Sequence, residues 1–167
     1  MKPWRQFPSA LAELADRFDD EVIAPYTAAG DARIKRSAAW EREVKLSDLG
    51  LTGHITSYFK ETMTGIGTNG RSVLAAPMEL AADGGAWENL NFEITKHKQG
   101  AIAWKALNQN SRFLMDLEGE MESDGNIAYK VTLVAREDAS VEDVALRTHL
   151  ASGVGRYMMG LGEKGGY

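Results

Sequence analysis

The stretch from residue 111 to residue 137 constrains the fold most, because apolar and polar side chains alternate along it in two successive runs. The apolar members are Phe113, Met115, Leu117 and Met121 in the first run, and Ile127, Tyr129, Val131 and Leu133 in the second. Alternation with a period of two is typical of a strand that buries one face and exposes the other. The two runs therefore predict a β-hairpin in an antiparallel sheet with one buried face.

The register of this hairpin depends on the length of its loop. A loop of two residues would set Glu120 opposite Tyr129 and so mix the polar and apolar faces. We expect a three-residue loop, 124–126, because a one-residue slip would turn a whole hydrophobic set to solvent. The resulting cross-strand pairs are Met121 with Tyr129, Leu117 with Leu133, and Glu120 with Lys130. Gly125 or Asn126 then takes the left-handed conformation that such loops require.

The polar face of the first run carries a row of carboxylates. Its members are Asp116, Glu118, Glu120 and Glu122. Such a row could bind cations, but metal sites usually bring ligands together from several elements instead of one strand. We therefore favour a solvated strand face that discourages edge-to-edge aggregation.

Length and cysteine content limit the classes of protein to consider. The chain has 167 residues, which predicts one domain, 1–167, with a core that needs no covalent support. It contains no cysteine, which excludes disulfides, thiol nucleophiles and thiolate metal sites. Lys2 and Arg5 are followed by acidic residues instead of the apolar h-region of a signal peptide, so a secretion signal is not expected. We expect a cytoplasmic protein.

Charge and hydropathy exclude two kinds of partner. The chain has 19 Lys and Arg against 24 Asp and Glu, a formal net charge of -5, which is not the footprint of a nucleic-acid binder. Its densest basic cluster, 33–36, is short. No apolar run approaches the roughly 20 residues that span a bilayer. We predict no nucleic-acid partner and no membrane span.

Two helices are predicted, one at each end of the chain. The first runs from Ser9, its cap, to about Ile23 and is stopped by Pro25. The second opens at Ser140, and its apolar stripe is Leu146, Leu150, Val154, Tyr157, Met158 and Leu161. Gly153 and Gly155 inside it would each cost about 1 kcal/mol relative to alanine.

Six or seven strands are predicted between the helices. Besides the hairpin, they fall within 34–46, 51–66, 73–80, 87–97 and 101–107. The segment 34–46 also fits a helical turn or two, and 51–66 fits a helix face, although its threonines and glycines favour a strand. Residues 68–70 indicate a turn, and Pro77 makes its own segment an edge strand or a bulge.

The order of elements predicts an α+β fold. A curved antiparallel sheet of six or seven strands, flanked by an N-terminal and a C-terminal helix, must cover its apolar face. It can do so by closing into a helix-grip or lipocalin-like barrel or by wrapping round the last helix. Both solutions leave a cavity in which a ligand can bind.

Glu61 and Arg42 are the candidate polar groups of that cavity. Glu61 shares the parity of Ile55 and Phe59, and burial would raise its pKa and suit it to proton transfer. The alternative for Glu61 is a paired carboxylate at the end of its strand. Arg42 shares the parity of Val44 and could clamp an anionic ligand, unless the parity of this segment is misread.

Aromatic side chains supply the candidate walls. Trp104 and Tyr157 suit a flat apolar ligand, although an ordinary core position is the favoured interpretation for each of them. The three histidines, His54, His97 and His149, have no metal-binding spacing. We therefore predict no metal and no cofactor.

Two hypotheses for function follow. In the first, the protein binds a small apolar or aromatic molecule in its cavity, either as a carrier or as a cofactor-independent isomerase, cyclase or lyase. Glu61 would then be the catalytic acid or base, Arg42 the anion clamp, and Trp104 and Tyr157 the walls. The alternative is a non-enzymatic structural or interaction subunit of a homo-oligomeric assembly.

Overall fold

The structure is a computed structural model that describes residues 36–39, 42–60, 65–138, 140–155, 158–160 and 163–166. Within these ranges the chain forms β-strands and no helix. The N-terminal helix predicted from Ser9 to about Ile23 lies outside the described residues. Among the residues that are placed, no helical segment has the length and apolar character of a membrane span.

The first sheet contains four antiparallel strands in the order of the sequence. They are β1 (Arg36–Ala39), β2 (Arg42–Leu46), β3 (Thr52–Phe59) and β4 (Ile66–Ser72). The segment 34–46, predicted as a single strand, thus contains two strands, β1 and β2, which pair antiparallel with Ala39 opposite Arg42. The strand predicted over 51–66 is confirmed in β3, but the turn predicted at 68–70 is wrong, because these residues lie inside β4.

The second sheet also contains four antiparallel strands in sequence order. They are β6 (Glu88–His97), β7 (Ala101–Gln109), β8 (Phe113–Glu122) and β9 (Ile127–Ala135). Two further pairs join β5 (Glu79–Ala82) to β10 (Val144–Arg147), and β11 (Met158–Gly160) to β12 (Glu163–Gly166). None of these sheets closes on itself in the part of the chain that the structure describes, so the predicted barrel is not formed there.

The hairpin β8–β9 confirms the predicted alternation but not the predicted register. Its loop is 123–125, since Glu122 N donates to Asn126 O at 3.0 Å and Gly125 N donates to Glu122 O at 2.9 Å. The observed pairs are Met121 with Ile127, Leu117 with Val131, and Glu118 with Lys130. The prediction was therefore displaced by two residues, which leaves each face intact. Gly125 has the left-handed φ of 89°, as expected.

The core lies between the apolar face of the second sheet and side chains from β2, β5 and the segment between β2 and β3. Its buried members are Val44, Leu51, Leu80, Ile102, Trp104, Ala106, Met115, Leu117 and Met121. The residues of β8 that the alternation assigned to the core are buried, whereas Leu90 of β6 is 46% exposed. A bulge between Asn89 and Asn91 changes the parity of β6 at that point.

The C-terminal helix predicted from Ser140 is wrong. Val144 to Arg147 form strand β10, which pairs with β5 in the register Val144 with Ala82 and Leu146 with Leu80. The chain then turns at Gly153, whose φ of 82° is left-handed and incompatible with a continuous helix. The α+β class is replaced by an all-β architecture in the described ranges.

A partly buried hydrogen bond joins the second sheet to β3. Tyr129 Oη lies 2.7 Å from Thr52 Oγ1, and Thr52 is 1% exposed. Burial also raises the pKa of Tyr129, while the hydrogen bond to Thr52 acts in the opposite direction. The hydroxyl of Tyr129 is therefore a neutral partner at physiological pH.

Replacing Tyr129 by phenylalanine should lower the free energy of unfolding by about 1–3 kcal/mol, because the Thr52 hydroxyl loses its partner inside the core. The double variant Tyr129→Phe with Thr52→Val should be more stable than the sum of the two single changes implies. Urea unfolding of the four proteins measures this coupling. Strictly additive effects would show that the two hydroxyls do not stabilise each other.

Candidate functional site

An open depression of about 340 Å³ lies on the polar face of the second sheet. We call it the charged groove, because four of its lining side chains are Lys105, Glu118, Glu120 and Lys130. Small side chains create it: Glu120 pairs with Ala103 on β7 and with Ala128 on β9. The two alanines leave space on either side of Glu120, next to the longer side chains of the neighbouring row.

That neighbouring row crosses all four strands of the sheet with alternating charge. The register places Glu93 of β6, Lys105 of β7, Glu118 of β8 and Lys130 of β9 side by side. The carboxylate of Glu118 accepts from both lysines, with Nζ to oxygen distances of 2.8 Å to Lys105 and 3.1 Å to Lys130. The row therefore places two ammonium groups beside the carboxylate of Glu118 on the polar face of the sheet.

A second ion pair crosses the groove. Lys96 Nζ of β6 lies 3.0 Å from Glu120 Oε1, although Ala103 stands between them in the register. Lys96 can reach Glu120 because the alanine side chain does not block its path. Carboxylates and ammonium groups thus lie along both sides of the depression.

The ion pairs shift the pKa values of Glu118 and Lys105. The hydrogen bond from Lys105, followed by that from Lys130, holds the pKa of Glu118 below its ordinary value of 4.5. The hydrogen bond to Glu118 raises the pKa of Lys105 above its ordinary value of 10.5. Glu118 is therefore ionised at neutral pH. A carboxylate in this state can accept hydrogen bonds but does not act as a general acid.

The difference in unfolding free energy between the wild-type protein and a Glu118→Gln variant should depend on pH. A lowered pKa in the folded state stabilises the protein above pH 4.5, the ordinary value for the unfolded chain, and this stabilisation is lost as pH falls through the folded value. The raised pKa of Lys105 also stabilises the folded protein, and this stabilisation is lost at high pH, as pH rises above 10.5. Urea unfolding at pH 3 and pH 7 measures the difference, and equal values at both would contradict the ion-pair assignment.

The charged groove has no arrangement that is typical of a metal centre. Among the described residues, no three side chains of histidine, aspartate or glutamate come close enough to hold a metal ion. Asp116, Glu118, Glu120 and Glu122 follow one another along one strand, and lysines from β6, β7 and β9 neutralise two of them. These ion pairs fit a solvated strand face, which the sequence analysis favoured, better than they fit a row of cation-binding sites.

Of the predicted site residues, Trp104 is among the lining residues of the charged groove and Arg42 is not. Arg42 begins β2, and its guanidinium carbon lies 5.7 Å from the centroid of the Phe59 ring, within the range of a cation–π contact. Trp104 is 2% exposed, and its indole Nε1–H donates to Gly50 O at 2.8 Å. Glu61 and Tyr157 lie outside the described residues, so their roles stay predictions.

The sequence analysis missed two lysines that pair with the carboxylates of the groove, Lys96 and Lys105. Lys105 has the polar parity of its strand, and so does Glu93, but nothing in the sequence shows that they lie next to Glu118. Only the registers of β6, β7 and β8 bring them into one row. Lys130 was identified as a cross-strand partner, but of Glu120 instead of Glu118.

A second surface feature is a strip of exposed aliphatic side chains, which we call the apolar strip. Its members are Val141, Val144, Leu146, Leu150 and Val154, each between 40% and 51% exposed. Leu150 forms an isolated bridge with Leu74 beyond the end of β10. Five exposed aliphatic side chains within fourteen residues form a local concentration of apolar surface.

Comparison with known proteins identifies a family for this chain. The sequence model of the family described as glycoside hydrolase 123, third domain, matches residues 32–167. Searches of curated proteins and of solved structures each found no match. Because the matched region covers most of the chain, the chain belongs to the glycoside hydrolase 123 third-domain family.

Proposed function

We propose that this chain is a non-catalytic binding module of a glycoside hydrolase and that its charged groove binds an uncharged, hydroxyl-rich saccharide. The observation that carries the proposal is the row in which carboxylates and ammonium groups alternate beside an open depression. Membership of the glycoside hydrolase 123 third-domain family makes a saccharide the natural ligand class.

The chemistry of the groove suits hydroxyl groups. A carboxylate accepts hydrogen bonds, an ammonium group only donates them, and a hydroxyl does both. Glu118 and Lys105 lie 2.8 Å apart, so neighbouring sugar hydroxyls can bond to one group each. Hydrogen bonds to charged groups contribute about 1.5–3 kcal/mol each, which is more than hydrogen bonds between neutral groups contribute.

The balance of charge in the groove favours a neutral ligand. Glu93, Glu118 and Glu120 match the charges of Lys96, Lys105 and Lys130. Each of these lysines lies within 3.1 Å of Glu118 or Glu120. An ionic ligand would have to displace one of these pairs, whereas a neutral saccharide can add to them. The volume of about 340 Å³ lies at the lower end of the range for small-ligand sites, about 300–1,000 Å³.

Titration with neutral and charged oligosaccharides, followed by amide NMR spectra, tests the proposal. Neutral sugars should shift the amide signals of Ala103, Lys105, Glu120 and Ala128. An Ala128→Leu variant, which fills the groove at an exposed position, should lose these shifts, while the matched control Thr132→Ala on the same strand should keep them. No shift at about 10 mM of any neutral sugar, or shifts confined to other residues, would overturn the proposal.

The apolar strip favours a second candidate function, a structural or interaction module. Five exposed aliphatic side chains within 141–154 suit a contact with another part of a multidomain glycoside hydrolase. A Leu146→Ser variant should keep the stability of this chain and weaken its association with the purified remainder of a family protein. Unchanged association would exclude the strip as the contact.

The hypothesis of an apolar ligand in an internal cavity stays a prediction. Its catalytic residue, Glu61, and one of its walls, Tyr157, lie outside the described residues. A Glu61→Gln variant that folds but loses binding of an apolar ligand would support it, and one that keeps full binding would contradict the role of Glu61.

A further inference from the structure

Strand β9 forms one edge of the second sheet, since among the described residues it pairs only with β8. It is nine residues long, Ile127–Ala135, and its register with β8 has no bulge. Regular edge strands are usually protected by charges, prolines or bulges, because they can pair with another chain. Within β9 the only charged residue is Lys130, and Val131 and Val134 are 37% and 53% exposed.

Hydrogen bonds at the two ends of the hairpin show which backbone groups of β9 face outwards. Glu122 N donates to Asn126 O, and Arg136 N donates to Arg112 O. Hydrogen-bonded and non-hydrogen-bonded pairs alternate along an antiparallel ladder. The even-numbered residues of β9 therefore bond to β8, and the N–H and C=O groups of the odd-numbered residues, 127 to 135, point away from the sheet.

We propose that β9 pairs with β9 of a second copy of this chain, antiparallel and centred on Val131. This register sets Ile127 opposite Ala135, Tyr129 opposite Leu133 and Val131 opposite its own copy. Each of these pairs joins outward-facing groups on both strands, so the five pairs form about ten backbone hydrogen bonds. The two sheets become one eight-stranded sheet with a continuous apolar face.

Charge and the length of β9 select this register among those that the hydrogen bonds allow. Moving the centre by one residue to Lys130 would set the two lysines directly opposite each other, which is unfavourable. Moving it to Thr132 would leave Ile127 without a strand residue opposite it. The Val131 register pairs all nine residues and places Lys130 opposite Thr132 of the second copy. It also brings Lys130 within about 10 Å of Asp116 of the second copy, two strands away.

This pairing would also unite the two charged grooves on one surface. Glu118 of each copy would be separated by three strand spacings, or about 15 Å. The inference does not rest on the proposed function, because the pairing uses only backbone groups and charges at the edge. Loss of saccharide binding would leave it intact, and loss of pairing would leave a single groove intact.

Sedimentation equilibrium of the full chain, with variants at Thr132, tests the proposal. The wild-type protein should form a dimer. Thr132→Lys should raise its dissociation constant about tenfold, because the new lysine of each copy would lie opposite Lys130 of the other copy and repel it. Thr132→Glu should strengthen the dimer by a similar factor at low salt. Within one copy Thr132 pairs with Asp116, so the same two changes should shift the stability of the monomer in opposite directions.

Amide hydrogen exchange adds a residue-level readout. The even-numbered amides of β9 should be protected at every protein concentration, and the odd-numbered ones only when the protein is concentrated enough to dimerise. Val131→Pro, which removes one outward donor and none that bonds to β8, should give a folded monomer. A wild-type monomer at about 1 mM, a dimer indifferent to these variants, or odd-numbered amides protected at all concentrations would each overturn the proposal.

Discussion

Replacing Trp104 by alanine is expected to lower the free energy of unfolding by about 3–5 kcal/mol, the range for deleting a large aromatic side chain from a core. Trp104 is 2% exposed, and its indole donates a hydrogen bond to Gly50 O at 2.8 Å. Its ring also meets that of Tyr129 edge to face, with centroids 6.0 Å apart and an angle of 78°. Urea unfolding monitored by circular dichroism measures the loss.

Trp87 provides the matched control. Its indole also donates to a backbone carbonyl, Leu80 O at 2.6 Å, but Trp87 is only half-buried at the margin of the core. The Trp87→Ala change should therefore be clearly less destabilising than Trp104→Ala. A loss below about 1 kcal/mol for Trp104→Ala would contradict the core assignment. Such a small loss would instead support the prediction from the sequence that Trp104 lines a cavity.

The hairpin β8–β9 shows how much of the fold the sequence can predict. Alternation identified the buried face of β8 correctly, because burial of side chains at every second position is a local property of a strand. The predicted register was wrong by two residues, because the register depends on which residue of the loop takes the left-handed conformation. The sequence limited the left-handed residue of the loop to Gly125 or Asn126. It did not show whether the loop begins at residue 123, as observed, or at residue 124, as predicted.

The C-terminal segment shows why the fold class could not be predicted. Leu146, Leu150 and Val154 are four residues apart, a spacing that fits one face of a helix and also one face of a strand. Pairing of β10 with β5 decides between the two, and that contact joins residues more than sixty positions apart in the sequence. A single sequence contains no local signal for such a partner.

The charged groove could be predicted only in part for the same reason. The carboxylates along β8 were visible as a row, but Lys105 and Lys96 reach them from other strands. Bulges in β6, one of them between Ile94 and Lys96, decide which residues face β7. A one-residue error there would move Lys96 to the opposite face of the sheet.

Replacing Gly119 by alanine should destabilise the protein at the upper end of the range for overpacked cores, about 3 kcal/mol. Gly119 lies between Trp104 and Tyr129 in the register, on the buried face of β8. A Cβ atom at this position would lie 2.3 Å from Trp104 Cε2, closer than real Cβ contacts come. The indole cannot move aside easily, because its N–H is bonded to Gly50 O and its ring is buried.

Combining Gly119→Ala with Trp104→Ala separates this clash from every other effect of the new methyl group. Once the indole is absent, the alanine should be tolerated, and it should even stabilise the strand slightly because glycine loses more conformational freedom on folding. The double variant should therefore be no less stable than Trp104→Ala alone. Additive losses would show that Gly119 is required by the backbone of β8 instead of by the ring above it.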